Sequence, residues 1–394
     1  MKIKIKVQPE DFFVEESAAL SLNKQGAFGV YILKKKGWNT IDALLEISRK
    51  QNIPFRDFSY GGRKDRYGLT IQYITVKVPK RLELEEKNYS LRFIGFMDRP
   101  MGPDLIKANR FELVVRDLSN SESACALREL RVVEKIGYPN YFDEQRFGGV
   151  DLKQWFLAEK ILKQHYNGAL KIYLTAIYPE DKKDEKERKK FFLKHWKNWE
   201  VCQKAAKTKF EKSVFAYSPR NIQDVLGWLR RIPKEEMTFF FASYSSYLWN
   251  ETVRRIIKTI APAQIRVYNG LVGDYFFYTA LKEDDYRYLK GILIPTPSYK
   301  AEMPDRLTEV FYESVLRGNK INPAMFNKIK IRQAFFKSVE RNAIVLPDNL
   351  SGNIFEDEIY KGKKKLLLKF MLPRGSYATM LVKRLFSSIK IQSP

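Results

Sequence analysis

Histidine and cysteine are almost missing from this chain of 394 residues, which holds only His165, His195, Cys125 and Cys202. The cysteines lie far apart and form no metal-spaced pair, so they are expected as reduced core thiols. Both histidines fall in one helical, lysine-rich stretch. A Cys/His zinc site and a His-dependent triad are therefore not expected. Phosphate-cradling glycine loops of the P-loop or dinucleotide type are absent as well. No run approaches the ~18 apolar residues of a membrane helix, and Met1–Val7 alternates like a strand rather than a signal peptide. These absences lead to the expectation of a soluble, intracellular (cytoplasmic) protein with no membrane, metal or cofactor. Its chemistry must rest on carboxylates, amines, amides and aromatic rings.

Positive charge is abundant. Lysine and arginine number 71 against 46 acids, a net charge of +25, and the excess is spread along the chain. Tyrosine (22), phenylalanine (27) and tryptophan (6) are plentiful too. Cations for phosphates combined with rings for unpaired bases fit nucleic acid, above all RNA. An anionic membrane surface is the competing polyanion.

The stretch from Gly61 to Gln72 is the most informative. Gly61-Gly62-Arg63-Lys64-Asp65-Arg66 sets one carboxylate among three cations on a glycine-flexed turn. Arg63, Lys64 and Arg66 are expected to keep Asp65 ionised and to attract phosphate. Leu69 to Val78 then alternates as a strand, with Thr70, Gln72, Ile74, Val76 and Val78 on one face. An ionised carboxylate in an anion-attracting loop suits nucleophilic or general-base work on a polyanion. Taken alone, the turn also reads as a surface Asp–Arg ion pair.

The length predicts two or three domains. Further strands are expected at Lys2–Val7, Phe28–Lys34, Tyr89–Asp98 and Asn109–Arg116, with helices at Thr40–Gln51 and Ser121–Ile136. Asn39 is a possible cap, and Ile41, Leu44, Leu45 and Ile47 approximate one apolar face. Leu152 to about Lys212 reads as helical, its mixed-sign block Asp181–Lys190 as a solvated helix face. Phe239–Lys258 is a helix, Arg266–Thr279 returns to strands, and Phe326–Ile344 is helix and loop. Near the end, Lys363–Leu372 is a strand broken by Pro373-Arg374-Gly375. Ser376 can cap a helix whose apolar face is Tyr377, Met380, Leu381 and Leu385. A helix N-terminus there would favour an anion.

The segment Pro139-Asn140-Tyr141-Phe142-Asp143-Glu144-Gln145-Arg146-Phe147-Gly148-Gly149 is dense in special residues. It offers an amide for a base edge, stacking rings, a guanidinium for phosphate and glycines for close approach. A loop with a few buried aromatics is the plainer reading. With Gly62-x-Lys64-Asp65-x-x-x-x-Thr70-x-Gln72 the chain resembles the TruD family of tRNA pseudouridine synthases. The resemblance includes Pro9-Glu10-Asp11-Phe12-Phe13-Val14-Glu15-Glu16 and Asn140-Tyr141-Phe142-x-x-Gln145-Arg146-Phe147-Gly148. It closes with Leu372-Pro373-x-Gly375-Ser376-Tyr377-Ala378-Thr379, and Ser245-x-x-Leu248-Trp249-Asn250 is a weaker echo. Residues 150 to 240 match nothing in the pattern.

The resemblance implies an α+β fold. Residues 1–150 and 345–394 would form a split catalytic domain with a mixed, mainly antiparallel sheet. Residues 151–344 would be an inserted α/β domain, with 151–240 an extra helical segment. It also implies cofactor-free conversion of a uridine to pseudouridine in tRNA or another structured RNA, with uridine-13 of tRNA the foremost target. The catalytic carboxylate falls on Asp65, and Phe12, Asn140 and Tyr377 fall where the family holds the uridine. Phe142 is a further stacking candidate, and Lys64 and Arg146 are candidate phosphate or carboxylate partners.

The sequence departs from the family at Asp143, where a small residue is common; if positive φ is needed there, Asp tolerates it. Gly61 replaces a commoner small residue, with little consequence expected. A non-catalytic basic RNA-binding or chaperone protein is the alternative. A metal-dependent nuclease built on Asp65, Asp143 and Glu144 is a third reading.

Overall fold

Val30, Leu33, Ile74 and Leu91 are fully or almost fully buried and mark the centre of a nine-stranded sheet. The computed structural model describes residues 4–77, 81–217 and 222–387. It divides into two compact units, Met1–Tyr138 with Ile344–Pro394, and Pro139–Ala343. The Asn140 segment, expected with the first part of the chain, thus belongs to the second unit.

In the first unit the sheet comprises β1 (Phe12–Ala18), β2 (Phe28–Lys36), β3 (Phe58–Tyr60), β4 (Leu69–Val76), β5 (Glu83–Glu85), β6 (Tyr89–Met97), β7 (Ile106–Leu118), β8 (Asp348–Glu356) and β9 (Lys364–Pro373). Their order is β8-β9-β7-β1-β4-β2-β6-β5, with β3 also on β4. Only β1 with β4 is parallel; the other pairs are antiparallel. This is the mixed, mainly antiparallel sheet of an α+β fold.

Helix α1 (Thr40–Gln51) starts where the sequence predicts. Asn39 accepts a hydrogen bond from the Asp42 N–H at 2.8 Å, a cap worth ~1 kcal/mol. Its buried face is Ala43, Leu44 and Ile47, packed with Tyr31, Leu33 and Leu91. Leu45, expected on that face, is exposed, because it lies one residue past the stripe of Leu44 and Ile47. Helix α2 (Asn120–Ile136) has a reciprocal capping box between Ser119 and Glu122. Helix α3 (Ala378–Phe386) buries Met380, Leu381 and Leu385 and ties back to α2 through Arg384–Glu129, at 2.7 Å. Ser376 is not its cap: the N-cap position is Tyr377, with no side-chain cap bond.

Four of the sheet's nine strands, β1, β3, β5 and β8, were not among those expected. Of the expected strand Lys2–Val7, residues 2 and 3 lie outside the described residues; in residues 4–7 the only β pairing is an isolated bridge, Lys4 with Arg116, and the strand that follows is β1. Positive φ at Lys6 interrupts the alternating run, and a turn of 3-10 helix at Pro9–Asp11 separates it from β1. The edge strand β8 was not foreseen; its Asp, Asn, Ser and Gly content is depleted in strands generally, and pairing with β9 overrides it. Val78, expected on the β4 face, lies outside the described residues.

The second unit is chiefly helical. Short helices run from Leu157–Leu162 to Ile222–Leu229, followed by the long helix Lys234–Ile260. Helices Glu283–Gly291 and Arg306–Gly318 follow, with two small antiparallel pairs: Ile265–Tyr268 with Tyr275–Tyr278, and Leu293–Pro295 with Glu340–Asn342. The latter strand lies in a stretch expected as helix and loop, whose helical part is only the 3-10 turn Pro323–Asn327. Among the described residues no helix is long and apolar enough to cross a membrane.

Candidate active site

The Gly61–Gly68 connection enters β4, and three buried polar side chains hold it from the α1 side. Gln72 of β4 donates to the Gly62 carbonyl oxygen at 3.2 Å and accepts from Thr40 Oγ1 at 2.8 Å. Thr40 in turn accepts the Lys64 N–H at 2.9 Å. Lys35 Nζ donates to the carbonyls of Trp38 (2.6 Å), Asp65 (2.8 Å) and Lys64 (3.4 Å). Lys35, Thr40 and Gln72 are each 0% exposed. Burial pushes the Lys35 ammonium down to about 8, against the attraction of Asp65, with Lys64 repulsion adding to the fall.

The glycines act differently from expectation. Neither Gly61 nor Gly62 has positive φ. A Cβ at Gly61 would meet Ile106 Cδ1 at 2.4 Å, so the residue serves close packing and its identity matters. Gly68 likewise lets the loop close on the Phe12 backbone, where a Cβ would lie 2.6 Å from the carbonyl oxygen.

The cation that pairs with Asp65 is Lys6, not a neighbour in the turn. Lys6 Nζ contacts Asp65 Oδ2, and Asp65 Oδ1 accepts the Tyr67 N–H at 3.2 Å. The Asp65 side chain keeps 24% exposure. Lys64 turns inward to Glu16 (2.8 Å) and to Asn109 Oδ1 (2.5 Å), while Arg63 and Arg66 are exposed. Sequence adjacency misled because successive loop residues point in different directions, and the sheet brings Lys6 and Glu16 in from the first strand region.

Phe12 opens β1 and is 5% exposed; Lys6 Nζ lies 4.1 Å from its ring centroid. The ammonium of Lys6 thus joins Phe12 to Asp65. Tyr377 is half-buried, and its carbonyl accepts from Tyr138 at 3.5 Å. It follows β9, whose Pro373 and Leu372 register with Ala108 and Asn109 of β7. Tyr377 therefore follows the same β7–β9 end at which Asn109 meets Lys64.

Asn140, Phe142 and Arg146 lie in the second unit. Arg341 donates to the Asn140 carbonyl and to Asn140 Oδ1, each at 2.7 Å, and Asn140 Nδ2 donates to the Asn342 carbonyl at 3.2 Å. The amide is 5% exposed and its orientation is set by these partners; one acceptor lone pair and one N–H of the amide remain beyond them. Phe142 is 8% exposed and edge-on to Trp249. Guanidiniums lie over its ring, from Arg341 at 4.3 Å and Arg146 at 5.5 Å. Asn250 completes the brace by pairing with both the N–H and the carbonyl of Phe142, each at 2.9 Å.

Asp143 has φ of −89°, so the position needs no left-handed backbone, and its carboxylate caps the Glu144 N–H at 2.7 Å. Glu144 accepts the Leu271 N–H at 3.3 Å. Both acids serve the loops of the second unit, whereas Asp65 belongs to the first.

The family model described as tRNA pseudouridine synthase D (TruD) matches residues 1–385. The chain belongs to the TruD family. A relative from Methanocaldococcus jannaschii, named probable tRNA pseudouridine synthase D 2, is 34% identical over 98% of this chain and 92% of its own length. The tRNA pseudouridine synthase D of Aquifex aeolicus is 30% identical, covering 98% and 99% respectively. A solved TruD structure from Methanosarcina mazei shares the fold with a TM-score of 0.73 at 24% identity, over 99% of this chain and 94% of that one.

Sequence reasoning missed Lys6, Glu16, Lys35, Thr40 and Arg341. Glu16 and Thr40 sat within segments read for other reasons. Lys35 fell just past the strand expected at Phe28–Lys34, although β2 continues to Lys36.

Proposed function

We propose that this TruD-family protein isomerises a uridine of tRNA to pseudouridine, with Asp65 as the reacting carboxylate and uridine-13 the foremost target. The observation that carries the reading is the Lys6–Asp65 pair. It is a partly exposed carboxylate set against one ammonium, on a loop whose backbone is fixed by three buried side chains. Fixing a reacting group before the substrate arrives lowers the barrier by removing orientational freedom.

In the isomerisation the N1–C1′ bond of the uridine breaks, the base rotates, and a bond forms between C5 and C1′. The C5 proton is lost and a proton is gained at N1. Asp65 would either add to C1′ or take the 2′ proton to give a glycal. The target base must leave its stack first, at a cost of a few kcal/mol. In this reading Phe12 and Tyr377 contact the uridine at the first unit. Asn140 is assigned to substrate as well, with Arg341 setting its amide; Phe142 and Arg146 hold that segment in shape. Lys64 acts as the partner of Glu16 and Asn109 and so braces the loop.

Asp65→Asn should abolish tritium release from C5-labelled uridine in tRNA while RNA binding persists. Near-normal turnover by this variant would remove Asp65 from the mechanism. Mapping pseudouridine-selective reverse-transcription stops in bulk tRNA, with and without the protein, tests the target. If the wild type adds no stop anywhere, the non-catalytic RNA-binding reading replaces this one.

A further inference from the structure

Strand alternation puts Tyr31, Leu33 and Lys35 of β2 on one face, and the first two are core residues under α1. Lys35 continues that face beneath the Asp65 loop with no exposed surface. An ammonium taken out of water is costly unless its protons are satisfied. Here the three N–H groups of the charged form match three carbonyl oxygens, those of Trp38, Lys64 and Asp65. A methionine would fill similar space without that cost, so what distinguishes lysine here is its grip on the loop.

We propose that Lys35 is a positioning residue for the reaction: by holding the carbonyls of Lys64 and Asp65, its ammonium fixes the direction in which the Asp65 carboxylate leaves the loop. The inference rests on Asp65 being the reacting carboxylate. A neutral amine has two N–H groups and cannot serve three carbonyls, so the grip weakens on deprotonation. The charged groups facing Lys35 are Asp65 and Lys64 of the loop. Lys6 stands beyond Asp65 and Glu16 beyond Lys64. From α1 and β4 the groups bonded to the loop are the uncharged Thr40 and Gln72. With the Lys35 ammonium titrating at about 8, loss of the third bond falls at mildly alkaline pH.

The test is single-turnover tritium release from C5-labelled tRNA at saturating protein, on either side of about pH 8, with RNA affinity measured in parallel. Wild type should slow as pH rises through this value while its affinity holds. A lysine ε-carbon resonance should titrate together with the rate. Lys35→Met should lose on the order of a hundredfold in rate at neutral pH, the effect of a ~1 Å misplacement, with affinity unchanged and the alkaline limb gone. Titration of the uracil ring would act on both proteins alike and leave a limb in the variant. A limb kept by a folded Lys35→Met, or a wild-type rate in that variant, overturns the proposal. If the variant does not fold, the wild-type profile decides: a rate flat across this range, or a limb with no lysine resonance beside it, overturns it. A wild type that forms no pseudouridine overturns the Asp65 reading as well; one that does so with a flat profile overturns the role of Lys35 alone.

Discussion

Replacing Arg116 with methionine tests how the start of the chain is held in register with the sheet. The guanidinium is 1% exposed and makes three contacts of 2.8–3.0 Å to Asp11, one of 3.0 Å to Asp357 and one of 3.0 Å to Glu358. Its own N–H pairs with the Lys4 carbonyl, just before Lys6, and Asp11 directly precedes Phe12. In Arg116→Met, Asp357 keeps backbone N–H partners from Asp117, Ile359 and Tyr360. Asp11 keeps only the Gln8 N–H among these bonds. A buried carboxylate stripped of its partner costs ~3–5 kcal/mol. For a unit of this size each kcal/mol lowers the midpoint by ~2–4 °C, which gives a drop of ~6–20 °C.

Asp11→Asn in the same chain removes the orphaned charge and should recover part of the loss. The acid side supplies a second readout. Contact with Arg116, then with Lys365, lowers Glu358 from 4.5 to about 2. A lowered carboxylate adds stability that is fully present above 4.5 and is lost as pH falls toward about 2. Without Arg116 that loss shrinks, so the gap between wild type and variant should narrow across this window. Thermal melts at neutral pH and near pH 3 measure both effects. A neutral-pH drop equivalent to under ~1 kcal/mol would refute the buried-network argument, since that is the scale of an exposed pair; so would parallel acid profiles.

Three further outcomes follow from packing and hydrogen bonding around the loops. Gly61→Ala should destabilise by ~1–3 kcal/mol through overpacking against Ile106, and in a double-mutant cycle of melts its cost should be smaller in an Ile106→Ala background. Asn250→Ala removes the side-chain acceptor of the Phe142 N–H and one donor to its carbonyl, which keeps the Tyr275 hydroxyl at 3.4 Å; a melt should show a loss of ~1–3 kcal/mol. Arg341→Met should raise the KM for tRNA more than it lowers kcat, because it removes the donor to Asn140 Oδ1 and leaves the amide held only through its Nδ2 bond to Asn342; an unchanged KM would count against a role for Asn140 in substrate binding.

The sequence by itself determined the local and the chemical. Asn39 announced the start of α1, the alternation of Thr70, Gln72, Ile74 and Val76 announced a buried strand face, and four separated motifs announced the family. These signals survive without a fold because capping, side-chain alternation and motif identity act over a few residues. Only the tertiary structure decided which charges meet. Asp65 looked paired with Arg63, Lys64 and Arg66, yet its partner is Lys6, because chain neighbours in a loop diverge while strands bring distant residues together. Lys35 lay one residue beyond the expected strand Phe28–Lys34, yet β2 continues and carries it under the loop. Arg341 stood far from Asn140 in sequence, and the pairing of Glu340–Asn342 with Leu293–Pro295 was invisible to local pattern. A carboxylate could be found by reading along the chain; what aims it is held by contacts that exist only once the sheet has formed.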